Sequence, residues 1–498
     1  MSPGLPHVQT PGPPPLKDSS GSNRQSDPYA QYGPPPSIPH QYQQHQEKPS
    51  GFRSLSRANS HYSQDEGSQS PSAVGSSAGF SSLFGGKRKK PKNNIAKTNS
   101  TFVSKITTNE NLAKILANRM NEDVYIFWNT GRTFTWSDLN QKPNPLSHIT
   151  FSKAFPTSHD VNVLTRSCDH LDVIIGFSTG DIIWFDPLCN KYYRLNKQGI
   201  IKDSPVTMIK WLPGSESQFM VAFQDGSIVI MDKERDDQQF TAHPPTSDTM
   251  FHVTHPKHGK HNPISHWQVS KKPITAFAFS PDLQHVAVVA MDGALRIIDF
   301  RDERLLDTFS AYFGALTCVC WSPDGKYVLT GGQDDLVTIW SFKDQRIVAR
   351  CQGHQSYVTG VAFDPWRCGE RNYRFGSVGE DAKLLLWDFS VGALHKPKAD
   401  DRQSLKSGHG FSSLFRHQHK AHGGVAQGMQ VVRPPEPRSH VAMLQPLMAK
   451  GIHQEPLAGI TFREDAIMTS DRRGHIKVWK RPPLLPHQQP PPPPAHQS

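Results

Sequence analysis

Phe279-Ser280-Pro281-Asp282, Trp321-Ser322-Pro323-Asp324-Gly325 and Phe363-Asp364-Pro365-Trp366 are three versions of one phrase, and their aromatic leads lie 42 residues apart both times. Each phrase is followed by an apolar run, an Asp-containing turn and a second run ending near an aromatic-Asp or Trp-Ser pair. A period of about 40 to 45 residues with four short strands per unit is the signature of a β-propeller blade. The period therefore predicts an all-β ring, and rings of this kind usually serve as docking platforms.

Working outward from the phrase predicts seven blades. A short helix over Asn111–Met120 and the strand pair Val124–Trp128 and Thr133–Trp136 open the ring. Blades follow at 158–195, 204–243, 272–310, 314–352, 354–394 and 453–480. The turns Asp225-Gly226 and Asp292-Gly293 sit between apolar runs, the strongest short hairpin signal because a tight turn needs positive φ. Two insertions break the period: about 241–271, between blades three and four, and about 395–452, between blades six and seven. The last blade has three obvious strands, and the reading takes its fourth from the N-terminal pair, which would lock the ring.

Composition divides the chain further. The expected organisation is a disordered Pro/Ser/Gln-rich region over 1–100, blades one to six over 101–394, a disordered insertion over 395–452, the last blade over 453–482 and a Pro-rich tail over 483–498. Such polar stretches cannot bury enough apolar area to offset their chain entropy. The net charge of +11 looks like a nucleic-acid signal until it is mapped. Residues 1–100 carry 11 Lys/Arg against 5 Asp/Glu, and 393–452 carry 9 against 3, whereas 101–392 carry 29 against 32. A near-neutral body argues against direct nucleic-acid binding. The six cysteines form no CxxC pair, so reduced thiols are expected. No run approaches 18 apolar residues, and no membrane span or secretion signal is expected.

Several motifs invite chemistry, and each has a plainer reading. Gly176-Phe177-Ser178-Thr179-Gly180 fits a nucleophile elbow, which needs a helix after the turn; Asp181–Phe185 reads as a strand, so Ser178 belongs to a hairpin. The histidines at 243, 252, 255, 258, 261 and 266, and those at 417, 419 and 422, match no tetrahedral metal spacing. No metal, no cofactor and no catalysis are expected. Lys87, Arg88, Lys89, Lys90 and Lys92 read as a nuclear-import patch, predicting a cytoplasmic protein with partial nuclear residence. Gly79-Phe80-Ser81-Ser82-Leu83-Phe84 recurs as Gly410-Phe411-Ser412-Ser413-Leu414-Phe415. Apolar islands in polar surroundings are short recognition motifs, so Phe80, Leu83, Phe84, Phe411, Leu414 and Phe415 are candidate docking residues.

Blade six carries Gly353-His354, then Ser377, Asp381 and Trp387-Asp388. This resembles the buried WD-repeat network in which a histidine links the turn Asp, a strand Ser and the Trp nitrogen, a structural role. Blade five keeps Thr330, Asp334 and Trp340 but has Tyr312 where His354 aligns.

At the residue level the resemblance narrows. Tyr125-Ile126-Phe127-Trp128-Asn129, Asn262-Pro263-Ile264-Ser265-His266-Trp267, Tyr312-Phe313-Gly314 and Tyr373–Asp381 are similar to the family of the fungal catabolite-repression protein CreC and the animal WD-repeat protein 20. The resemblance covers nearly all of 101–480. It implies a seven-bladed WD-repeat propeller that binds and activates a ubiquitin-specific protease, a CreB-like deubiquitinase, in fungi within carbon catabolite repression. The rival reading is a substrate receptor or chromatin adaptor using the same face with further adaptor proteins. In WD propellers the loops that precede each blade's first strand gather at the narrow top face. Phe313, Tyr357 and, with an alternative inward role, Tyr312 are therefore the candidate partner-binding residues.

Overall fold

A computed structural model describes residues 91, 93–95, 102–118, 124–139, 145–167, 169–242, 251–390 and 432–482. These residues form a seven-bladed β-propeller of antiparallel meanders. Blade one is Tyr125–Thr130, Thr133–Asp138 and Ser147–Phe151, with Val103–Thr108 on its outer edge. Blade two runs from Pro156–Asn162 to Lys191–Leu195, and blade three starts with Val206–Trp211. Blades four and five run from Ile274–Phe279 to Arg304–Ser310 and from Leu316–Trp321 to Arg346–Gln352. Blade six begins with Val358–Phe363, and blade seven comprises Leu457–Phe462, Ala466–Asp471 and Ile476–Lys480.

The second strands of blades three, four and five are mostly apolar and almost wholly buried because neighbouring blades cover both of their faces. In His285–Ala290 every residue after the first is buried, and Tyr327–Gly332 is buried along its whole length. The hairpin turns follow from backbone chemistry. Gly226 (φ +85°) and Gly293 (φ +75°) adopt the left-handed region that only glycine enters without cost. A Cβ at Gly226 would lie 2.1 Å from the Ser270 carbonyl, so that turn also needs the missing side chain. In blades five and six the same turn position is held by Asp335 and Ala382, at φ +62° and +58°.

Three expectations about connectivity need correction. The insertion near 241–271 lies inside blade three: Ser265–Gln268 pairs with Ser227–Ile230 as the fourth strand, and His252–Thr254 adds a fifth. Its strand, Ser265-His266-Trp267-Gln268, is too short and polar to announce itself, although Trp267 is fully buried. Second, residues 432–451 of the insertion expected to be unstructured form strands. Val432–Arg433 lies parallel to blade four's outer strand, Ala442–Leu444 parallel to blade five's, and Met448–Gly451 completes blade six. Third, Val103–Thr108 pairs with Ser147–Phe151, so the N-terminal strands complete blade one. Blade seven has three strands among the described residues. Residues 1–90, 391–431 and 483–498, with the basic patch at 87–90 and both Gly-Phe-Ser-Ser-Leu-Phe copies, lie outside the described residues.

Candidate partner-binding face

The loops that lead into the first strands of blades five and six sit against the central hairpins of their own blades, and the loop into blade five also against that of blade four. Hydrogen bonds weld them together. Ala311 N–H donates to the Gly293 carbonyl at 2.7 Å, Gln333 N–H to Ala315 at 2.9 Å, and Glu380 N–H to Tyr357 at 2.9 Å. The Gln333 side-chain carbonyl accepts from Ala315 N–H at 3.2 Å. Tyr312 and Phe313 therefore project from a short segment held on both sides, at Ala311 and Ala315. Phe313 is 72% exposed, Tyr312 54% and Tyr357 42%. Held aromatic anchors lose little freedom on binding, which favours affinity.

A fourth member escaped the sequence reading. Met291, 44% exposed, stands just before the Asp292-Gly293 turn, where blades three, five and six carry Gln224, Gln333 and Glu380. That break in a polar position was a readable signal. The polar rim includes Lys383, which donates to the Gln355 side chain at 2.7 Å, and the Glu380–Arg472 ion pair joining blades six and seven.

Tyr312 points outward, and its alternative inward role is not what the structure places there. The guanidinium of Arg350, almost wholly buried, lies 4.8 Å from the centre of the Tyr312 ring and donates to the Glu436 carbonyl at 2.8 Å. The returning segment over 432–451 thus props the cation beneath the exposed tyrosine. Such a desolvated cation–π contact fixes the ring's position.

Beneath this face, blade six forms the full network. His354 Nδ1 lies 3.0 Å from the Asp381 carboxylate and Nε2 2.8 Å from Ser377 Oγ, while Trp387 Nε1 donates to Ser377 Oγ at 2.9 Å. With the proton on Nδ1, each group finds a partner, the condition for a buried network to stabilise. Burial lowers the His354 pKa, with Asp381 opposing. The sequence reading missed a second copy. In blade seven His453 links Asp471 and Thr469 at 3.0 Å each, and Trp479 donates to Thr469 at 3.0 Å. The Trp-to-hydroxyl spacing of ten residues is the same as in blade six. The His-to-hydroxyl spacing, 16 residues against 23, hid the match.

Blade five lacks the histidine, and Asp334 registers the loss. Burial pushes its carboxyl up to about 6, only partly offset by the Leu336 N–H it accepts. Asp471 shows the opposite balance: burial raises it, but hydrogen bonds from His453, His475 and backbone amides hold it at about 2.

The motifs that mimic catalysis resolve into structure. Ser178 Oγ accepts from Phe155 N–H at 3.2 Å within a hairpin, and Ile182–Asp186 follows as a strand. His266 is buried in blade three, where burial lowers its pKa to about 4. His255 pairs with Glu303 at 2.7 Å. Among the described residues no group of three or more His, Cys, Asp or Glu is arranged to hold a metal, and no helix is long and apolar enough to cross a membrane.

Known proteins share this pattern. The WD domain, G-beta repeat family matches residues 261–299 and 303–341. Over 407 residues the chain is 38% identical to UBP9-binding protein bun62 of Schizosaccharomyces pombe, a match covering 77% of this chain and 75% of that protein. This chain belongs to the family of CreC and WD-repeat protein 20. The matched repeat units are staggered against the blades. The unit 303–341 begins with blade four's outer strand and ends with blade five's third, so each repeat laces two blades together.

Proposed function

We propose that this chain is a scaffold without catalysis of its own that binds a ubiquitin-specific protease on the top of blades four to six and raises its activity. The observation that carries the site is the arc of Met291, Tyr312, Phe313 and Tyr357: four large exposed side chains on adjacent loops welded to their hairpins. The relative is named for binding UBP9, in line with the partner class that the family resemblance implies. The near-neutral charge of residues 101–392 suits a protein partner better than a nucleic acid. Activation requires only that the propeller bind the competent conformation of the protease more tightly than the idle one. A hundredfold preference corresponds to about 2.7 kcal/mol. Carbon catabolite repression is the process in which a fungal version of this pair would act.

Titrating the purified chain into a ubiquitin-specific protease of the same cell, with a fluorogenic ubiquitin substrate, tests the reading. Saturable binding with a rise in kcat supports it. Saturable binding with unchanged kcat would reduce the chain to an adaptor, and turnover by the chain alone would make it an enzyme.

A further inference from the structure

Blades two to seven each contribute an innermost strand, and these strands follow one another around the central channel. Blade one is built differently. Its Tyr125–Thr130 leads into a turn at Gly131 (φ +54°), and Trp136 comes five residues after that glycine. In blades five, six and seven Trp340, Trp387 and Trp479 likewise follow Asp335, Ala382 and Gly474 by five residues, and those turns join the second strand to the third. Tyr125–Thr130 is therefore the counterpart of a second strand, and Val103–Thr108 makes up the count of four on the outside. Among the described residues no strand pairs with the inner edge of Tyr125–Thr130. A cleft of about 450 Å³ lies in that place, lined by Ile126 and Trp128 of blade one and by Met468 and Ser470 of blade seven. Its size falls within the roughly 300–1,000 Å³ of ligand pockets. Every residue of Tyr125–Thr130 is partly exposed, whereas the second strand of blade five, Tyr327–Gly332, is wholly buried.

The residues facing the cleft depart from the repeat where an inner strand would meet them. The second residue of the inner strand is Thr in blades two to six, and three of these hydroxyls tie one inner strand to the next. Thr275 donates to the Leu316 carbonyl at 2.6 Å, Thr317 to Val358, and Thr359 to Leu457 at 2.7 Å. Blade seven has Ala458 at that position. In blades two and five Gly176 and Gly331 pack against the leading valine of the next inner strand, Val206 or Val358. Blade seven has Ser470 in the same register. Departures from a local rule cluster at functional sites.

We propose that the cleft is a docking slot for an extended segment of a partner protein, which adds to the inner edge of Tyr125–Thr130 as the innermost strand of blade one. In such strand addition main-chain hydrogen bonds give affinity and alternate side chains give specificity. The other inner strands show what fits. Val206–Trp211, Ile274–Phe279, Leu316–Trp321, Val358–Phe363 and Leu457–Phe462 are each six residues long, with an aliphatic first residue, an apolar fourth and an aromatic sixth. Inner strands run antiparallel to second strands, so the segment's N-terminal end would lie at Thr130, against the Gly474 turn. Arg132, Arg472 and Arg473 are exposed there, and only Glu380 and Glu455 pair with the last two. This cationic entrance selects a segment with an acidic flank before its first apolar residue. The slot lies on blades seven and one, and the proposal stands without the aromatic arc of blades four to six.

The test adds a synthetic peptide, two glutamates followed by the sequence of Val358–Phe363, to the full chain and reads amide exchange by mass spectrometry. Saturable binding should slow exchange in Tyr125–Thr130 at least tenfold and leave Leu316–Trp321 unchanged. A peptide with proline as its fourth strand residue cannot complete the ladder and should bind at least tenfold more weakly. Replacing its two glutamates with lysines should weaken binding severalfold, and equal binding would overturn the acidic flank. Ser470→Phe fills the slot and should abolish the protection at a near wild-type thermal midpoint; should that variant fail to fold, the proline peptide decides alone. Three results would overturn the slot itself: Tyr125–Thr130 as protected in the free chain as Leu316–Trp321, protection confined to other strands, or equal binding by the proline peptide.

Discussion

Blades five and six begin the same way and part at one position. Blade six has His354, which turns inward and ties Asp381, Ser377 and Trp387 into one network. Blade five has Tyr312, which turns outward over Arg350 and leaves Asp334 without an imidazole partner. The Trp340–Thr330 bond survives at 2.9 Å, so the blade folds without the missing link. Giving up an internal contact and gaining an exposed aromatic beside Phe313 is a poor exchange for stability alone. Departures from a local rule cluster at functional sites, and this one falls within the arc assigned to the partner.

The largest expected effect separates the two blades by stability. His354→Ala strands Asp381 and Ser377 in a buried setting and should cost about 2–3 kcal/mol in urea denaturation. Tyr312→Ala removes a mostly exposed ring and should cost under about 1 kcal/mol. Equal losses would mean that Tyr312 is as structural as His354.

A smaller effect lies in the pH dependence, and blades five and seven should have opposite signs. Asp334 in the folded chain titrates at about 6, above its ordinary 3.8, so folding favours its protonated form. Its effect is to weaken the fold as pH rises from about 4 through 6. Asp334→Asn should remove that loss, on the order of 1 kcal/mol at pH 7 after allowance for its partial exposure. Asp471 titrates at about 2, so its support is complete above pH 4 and fades as pH falls toward 2. Asp471→Asn should flatten only that acid limb. Denaturation midpoints measured between pH 3 and 8 would distinguish the two, and matching slopes for both variants would contradict the contrast.

The smallest effect comes from rebuilding blade five in the image of blade six. Tyr312→His offers Asp334 the missing partner and should lower the Asp334 midpoint, read by carboxyl NMR, with a gain of a few tenths of a kcal/mol up to about 1. An unchanged midpoint would show that the loop, rather than the residue, sets the outward course.

Much of this was legible in the sequence because its signals are local. The 42-residue spacing and the Asp-Gly turns report a strand pattern that repeats within each unit, and the blade-six network sits at one repeat's spacing. Connections across long gaps were not legible. Met448–Gly451 pairs with Lys383–Leu386 of blade six across residues 391–431, and Ser265–Gln268 returns to blade three after an intervening loop. Nothing in a four-residue strand says which edge it will meet. Blade seven's network was hidden by a shorter strand connection, although all four of its residue types stand in the chain. Met291 breaks a polar position in the repeat, but exposure of one apolar residue is ordinary, and its neighbours in the arc add the meaning that the sequence signal alone lacks.

The most direct measurement is the affinity of a ubiquitin-specific protease for the wild-type chain and for Phe313→Ala with Tyr357→Ala, with thermal midpoints taken on the same samples. Truncating a hot-spot aromatic costs about 2 kcal/mol or more, roughly thirtyfold in Kd. The account predicts at least that loss, with a parallel loss of activation and a midpoint within a few degrees of wild type. Wild-type affinity in the double variant, or a loss of binding that merely follows a loss of folding, would contradict it.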